Sequence, residues 1–275
     1  MKLFVILALA VASVSAGTIL PEQNYIHPRQ LPAVISGEGR ITNGQDAAEG
    51  QFPYQVGLSF SSSSGGWWCG GSVIGAEWVL TAAHCTSGAS SVTAYLGATI
   101  RTSPKVQYTV SSGNFHQHAS YNSILLRNDI SLIKIPSVTF TSYIQKVRLP
   151  AMASSYSTYA GQRAVASGWG LTSDSATAVA SKLQYAYMDV ITNSVCANTY
   201  GSLTITDKTI CTATPKGTST CSGDSGGPLV LVSENILVGV TSFVSTAGCQ
   251  SGAPAGFVRV TSYLDWVKGI TGISY

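Results

Sequence analysis

One stretch of this 275-residue chain carries the means for nucleophilic chemistry: Cys221-Ser222-Gly223-Asp224-Ser225-Gly226-Gly227-Pro228-Leu229. A serine among glycines lets backbone come close to a substrate carbonyl, and the adjoining N–H groups can face an oxyanion. Alone, the run satisfies G-x-S-x-G, the strand-to-helix elbow of α/β-hydrolases. That arrangement needs its histidine after the serine, and no histidine follows His118. The elbow reading fails on order. A hydroxyl needs a neighbouring base to become a nucleophile, so the base must lie upstream. Beyond the leader the candidates are His84, His116 and His118.

His84 sits in Thr81-Ala82-Ala83-His84-Cys85, where Trp78-Val79-Leu80 reads as a strand entering a short turn. Downstream, Asn128-Asp129-Ile130-Ser131-Leu132 sets an isolated acid at the start of an apolar strand. No other acidic residue lies between Glu77 and Asp129. Taken singly, such an Asp is a turn or cap residue and a lone His is structural. Together with Ser225 they make a nucleophile, a base and an orienting acid. His116-Gln117-His118 could place two metal ligands on one strand face, but no Cys, Asp or Glu lies near, so a surface role is expected.

The elements that must position these groups are short and β-rich. From Ile41 onward, runs such as Tyr54–Phe60, Trp78–Ala82, Val92–Leu96, Val106–Val110 and Ile130–Ile135 alternate with Gly/Ser/Asn turns. A second series includes Ala164–Ser167, Leu183–Val190, Pro228–Val232, Ile236–Phe243 and Phe257–Val260. Strands at such spacing indicate sandwiches or barrels. Two β-units dividing near residue 150 fit the length, and only the tail, Ser262–Ile270, shows helical spacing with a Ser or Thr cap before it.

Composition narrows the class. Charged residues make up 10% of the chain, against about a quarter in ordinary soluble domains, which excludes disordered and coiled-coil classes. The formal net charge is +3, from 15 basic and 12 acidic residues, with no basic stripe for nucleic acid. Met1-Lys2, the apolar run Leu3–Ala12 and Val14-Ser15-Ala16 read as a secretory signal over residues 1–16. The apolar run is shorter than the ~20 residues of a membrane span. Residues 17–40 read as a detachable leader and 41–275 as the folded domain. All six Cys (Cys69, Cys85, Cys196, Cys211, Cys221, Cys249) follow the leader, an even number suited to three disulfides. Six Cys allow 15 pairings, and the residues alone do not choose among them.

Thr81–Cys85, Asn128–Leu132, Gly168-Trp169-Gly170 and Gly223–Leu229 together resemble the chymotrypsin-like serine proteases, in order and separation, from Ile41 to Tyr275. The resemblance implies an all-β fold: two six-stranded antiparallel barrels, the active site in the cleft between them, and a short C-terminal helix. It implies Ser225 as nucleophile, His84 as general base and then acid, Asp129 as its orienting partner, and an oxyanion hole from the N–H groups of Gly223 and Ser225. It pairs Cys69 with Cys85, Cys196 with Cys211 and Cys221 with Cys249. The first bridge closes a loop of about 15 residues, worth about 3 kcal/mol in the chain-entropy model.

The resemblance also implies activation by a trypsin-like protease after Arg40, freeing the Ile41 α-amine to pair with buried Asp224. The substrate pocket takes Ser219 at its floor, Val244 and Ala255 as walls, and Ser242 and Phe243 on the adjoining strand, with Ser242 supporting Asp129. No pocket residue is acidic, so Lys and Arg substrates are disfavoured. Val244 and Ala255 stand where relatives that admit aromatic rings commonly have Gly. Elastase-like cleavage after small or medium apolar residues is expected, with cleavage after Phe, Tyr or Leu as the alternative. Protease folds can also survive as silent binding modules, but Ser225, His84 and Asp129 are all present here. Expected partners are protein or peptide substrates, the activating protease and protein inhibitors. No cofactor, metal, nucleic acid or membrane partner is expected, and the chain reads as a monomer. Residues 86–128 lack the acids that hold calcium in some relatives, and no N-x-S/T sequon occurs.

Overall fold

The computed structural model describes residues 25–26 and 41–275. The secretory signal, the remainder of the leader and Arg40 lie outside the described residues. Two short strands come first, β1 (Tyr25–Ile26) and β2 (Gln45–Asp46). They are followed by β3 (Gln55–Ser62), β4 (Gly65–Gly75), β5 (Trp78–Thr81), β6 (Ser91–Leu96), β7 (Val106–Ser111), β8 (Phe115–Gln117) and β9 (Ser131–Lys134). The second half supplies β10 (Arg163–Gly168), β11 (Gln184–Ile191), β12 (Thr209–Thr212), β13 (Pro228–Leu231), β14 (Leu237–Ser245) and β15 (Ala255–Arg259). Among the described residues three α-helices complete the set: α1 (Ala83–Thr86), α2 (Asn193–Tyr200) and α3 (Leu264–Thr271).

The fold is mostly β, as expected. Strands β14-β13-β10-β11-β12-β15 pair in that order, and β15 pairs back onto β14, so this barrel is closed. Strands β7-β6-β3-β4-β5-β9-β8 form the other unit, a half-barrel. Every pairing is antiparallel in both. The chain passes from one sheet to the other between Lys134 and Arg163. The half-barrel buries Leu58, Phe60, Val79, Leu80, Leu132 and Ile133 completely. Each such side chain contributes roughly 1.5–3 kcal/mol by leaving water. The barrel core is built from Ala164, Ala166, Leu229, Leu231, Val238 and Phe257.

Two features depart from the sequence reading. The tail is not the only helix: α2 carries Cys196 and Tyr200 inward, with Thr192 Oγ1 accepting from the Val195 N–H at its N-terminus. The tail helix has no Ser or Thr cap. A 3₁₀ turn over Val260–Tyr263 leads straight into it, with Tyr263 at the cap position and no side-chain cap bond. Its apolar face, with Val267 and Leu264 buried, joins a core cluster that holds half-barrel residues such as Leu80 and Leu132 together with Val230, Val240 and Val258 of the barrel. The disulfides Cys69–Cys85, Cys196–Cys211 and Cys221–Cys249 are formed as expected. No helix among the described residues is long and apolar enough to cross a membrane.

Candidate active site

Strand β5 ends at Thr81, and the single turn α1 carries His84 to the edge of the half-barrel. Cys85, the next residue, is tied to Cys69 of β4, which anchors the turn. Asp129 stands just before β9. The preceding Asn128 has φ 53°, a left-handed conformation that Asn tolerates better than most residues. Its side chain holds the turn by donating to Ser120 O and accepting from Tyr263 Oη.

Asp129 is fully buried and meets three donors. The His84 backbone N–H reaches Oδ1 at 2.8 Å, His84 Nδ1 reaches Oδ2 at 2.8 Å, and Ser242 Oγ reaches Oδ2 at 2.6 Å. An ionised carboxylate only accepts, so Nδ1 carries the proton and Nε2 is left as the basic nitrogen. Ser242 lies on β14 of the other barrel, so the Asp129 site bridges the two units.

Ser225 follows a turn closed by the Asp224 N–H on Cys221 O at 2.9 Å. Its own carbonyl accepts from the Gly70 N–H at 2.7 Å, tying the loop to β4 across the cleft. Gly226 has φ +76°, and a Cβ there would sit 2.1 Å from Thr81 Oγ1 and 2.6 Å from Gly70 O. Only glycine lets the half-barrel approach the serine this closely. Within the loop the donors in use are Cys221, Asp224, Gly226 and Gly227. The N–H groups of Gly223 and Ser225 are not among them in the described residues. Ser225 Oγ is buried and makes no hydrogen bond, while His84 Nε2 lies 3.7 Å from Cys85 Sγ. The Ser225–His84 bond is therefore open. Catalytic bonds of this kind often tighten only when substrate is bound.

The trypsin family model matches residues 41–267. The chain belongs to the trypsin family.

Among its relatives in that family is a Drosophila melanogaster protein named serine protease 1, 56% identical over 238 residues, covering 86% of this chain and 88% of its own. A Hypoderma lineatum protein named collagenase is 44% identical over 276 residues and covers all of both chains. Brachyurin from Leptuca pugilator is 40% identical over 236 residues, 85% of this chain and all of its own. A solved collagenase structure superposes with a TM-score of 0.80 at 44% identity, covering 86% of this chain and 100% of that one. The protein is a serine endopeptidase.

In this trypsin-family chain Asp224 is wholly buried, with the Gly170 N–H on Oδ1 at 2.8 Å and the Cys221 N–H on Oδ2 at 2.9 Å. Burial pushes its carboxyl up to about 7, against the pull of those two N–H donors. A Cβ on Gly168 or Gly170 would fall 2.1 Å or 2.4 Å from the Asp224 carboxylate. The Gly-Trp-Gly run is thus the cradle of this acid. Ile41 is fully buried, and Thr42 pairs with Ser219: Thr42 Oγ1 donates to Ser219 O at 2.8 Å and accepts from Ser219 N at 2.9 Å. Thr42 and the glycine cradle escaped the sequence reading, although Gly168-Trp169-Gly170 was visible as a motif.

The pocket candidates Ser219, Ser242, Phe243, Val244 and Ala255 are all buried. Ser219 Oγ turns onto Thr220 O at 3.0 Å. Val244 packs with Leu171 and the Cys221–Cys249 bridge. Phe243 stacks edge-on to Tyr200 with ring centres 5.2 Å apart, and its ring occupies the space a Cβ on Gly256 would need. His116 and His118 are spread onto aromatic rings instead of a shared ligand site: His116 on Trp78, His118 on Tyr263 and Trp266. Trp67 stacks on Phe60 and donates to Cys85 O, while Trp68 meets Trp169 edge-on. Among the described residues, the two groupings of His, Cys and acids able to meet a metal both take their sulfurs from disulfides.

Proposed function

We propose that the protein is a secreted zymogen whose mature form cleaves polypeptides after small or medium apolar residues through Ser225, His84 and Asp129. The observation that carries this reading is the buried bond chain from Ser242 through Asp129 to His84, beside a serine whose hydroxyl is free. Ser225 Oγ attacks the scissile carbonyl as Nε2 of His84 takes its proton. The oxyanion of the tetrahedral intermediate meets the N–H groups of Gly223 and Ser225. Collapse expels the amine, which leaves with the proton from His84. Water then repeats the sequence on the acyl-enzyme and releases the acid. Relatives named collagenase and chymotrypsin make protein the substrate class to test first.

Cleavage after Arg40 is the proposed switch. Asp224 has no cationic partner among the described residues, and its burial raises the carboxyl to about 7. Between about pH 4 and 7 the folded precursor holds a proton that the unfolded chain has lost, so precursor stability falls as pH rises through this window. A rise of this size corresponds to about 4 kcal/mol at most. A freed Ile41 ammonium supplies the missing cation and lifts the penalty. The melting temperature of the cleaved protein is expected to exceed that of the precursor by on the order of 10 °C more at pH 8 than at pH 5. The gap should close again at higher pH as the amine loses its proton. Calorimetry on both forms checks this, and a gap that does not grow with pH contradicts the pairing.

Specificity follows from the pocket walls. Val244 and Ala255 add an isopropyl and a methyl group to a pocket with no acid at Ser219. Since one methylene is worth about 1–3 kcal/mol in a tight pocket, Val244→Gly should shift kcat/KM toward Phe over Ala by at least ~10-fold. Profiling the cleaved enzyme on a mixed peptide library tests both claims. A parent enzyme that already prefers Phe and Tyr would favour the chymotrypsin-like alternative.

A further inference from the structure

The leader is not simply an appendage. Strand β1 pairs antiparallel with the end of β14, Tyr25 opposite Ser245 and Ile26 opposite Val244. Tyr25 Oη donates to Ile124 O at 2.7 Å, and its ring lies 6.0 Å from that of Phe243. Ile26 packs with Leu171, Val244 and the Cys221–Cys249 bridge, the residues that flank the pocket wall.

This stretch of β14 leads directly to the reacting groups. Two residues before Val244 stands Ser242, bonded to Asp129, which holds His84. The pairing of β14 with β13 ends at Val240 and Thr241 is still tied to Gly226 and Gly227, which leaves the residues after Thr241 an edge for an added strand. A chain running antiparallel along that edge passes from Ser245 toward Ser242, and so toward the catalytic groups. A polypeptide substrate has to reach the same groups in extended form, and an open strand edge is the usual way to satisfy its backbone. Leader and substrate therefore require one and the same edge. In the whole chain, Ser225 is fully buried and His84 only 4% exposed, although a substrate must touch both.

Resting on the protease reading above, we infer that Tyr25–Ile26 is a built-in occupant of the substrate-binding edge, docked on Val244–Ser245 and excluding extended peptides until the leader is released. Two paired residues bind weakly on their own. Tethered through residues 27–40, they act at an effective concentration in roughly the millimolar range, and cutting after Arg40 ends that advantage. No Cys in the leader retains it afterwards. The edge accepts a segment with an aromatic residue followed by a branched apolar one.

The test uses the secreted precursor made uncleavable by Arg40→Gln. Hydrogen exchange over Phe243–Ser245 is compared with that in the same precursor carrying Tyr25→Pro and Ile26→Pro, which removes the leader N–H facing β14 whichever of the two residues supplies it. Exchange at least tenfold faster in the double-proline form is expected. In parallel, a synthetic peptide of residues 17–40 is added to the cleaved enzyme. Competitive inhibition is expected, weakened at least tenfold by the same two prolines. Equal exchange in the two precursors overturns docking, and absence of competitive inhibition up to millimolar peptide overturns exclusion. With Arg40 restored, cleavage of the double-proline precursor yields the same mature sequence. Its full specific activity shows that the prolines spare folding. A cleaved protein that hydrolyses nothing sinks the protease reading, while the exchange arm still decides whether the leader docks.

Discussion

Ser225→Ala in the cleaved enzyme is expected to lower kcat by about 10⁶-fold, His84→Ala by a similar factor, and the double variant hardly further. The reason is that the two side chains perform one act. Without Nε2 of His84 the Ser225 hydroxyl has no base, and without the hydroxyl the imidazole has no proton to move. The residual rate comes from the N–H groups of Gly223 and Ser225 and from substrate binding, which neither change removes. Kinetics of the three variants on one peptide substrate decide the point. If the separate losses multiplied, the shared proton transfer would be wrong.

Asp129→Asn should cost about 10⁴-fold in kcat while leaving the protein folded. Asp129 accepts from the His84 backbone, His84 Nδ1 and Ser242 Oγ. An amide that presents its NH₂ to Nδ1 forces the proton onto Nε2, the nitrogen that has to receive it from Ser225. The cavity and the volume are unchanged, so the melting temperature should move far less than the rate. An Asn variant within tenfold of the parent would contradict the orienting role.

Most of the site was legible because its chemistry is local in sequence. Ser225 with its glycines, His84 beside Cys85, and Asp129 at a strand start each carry a recognisable neighbourhood, and chain order alone eliminated the elbow. Ser242 and the disulfide pairing came only through the family resemblance. Thr42 and the Gly168–Gly170 cradle act across long sequence separations, and nothing local announces the contact of Thr42 with Ser219.

The strands were legible where buried apolar residues alternate with outward ones, as in Ser91–Leu96, and hidden where glycine dominates. Strand β4, Gly65–Gly75, reads as a turn by composition. Its glycines instead allow close approach: a Cβ on Gly70 would lie 2.9 Å from Gly227 Cα, and one on Gly71 2.8 Å from Val79 Cγ1. Helix α2 was missed because it turns only Cys196 and Tyr200 inward and shows little apolar periodicity. The disulfide to Cys211 of β12 and the Thr192 cap hold it in place of a hydrophobic face. Strand β1 has only two residues, and its pairing depends on an edge more than 200 residues away that the leader itself cannot reveal.

The central claim is that Ser225, activated by His84, is the nucleophile of a protease switched on by cleavage after Arg40. Its most direct test is mass-spectrometric mapping of a fluorophosphonate serine reagent on the precursor and on the trypsin-cleaved protein. The account predicts one label per molecule, on Ser225, appearing with cleavage after Arg40 and lost in His84→Ala. Folded protein with Ile41 at its N-terminus and no label on Ser225 would contradict it.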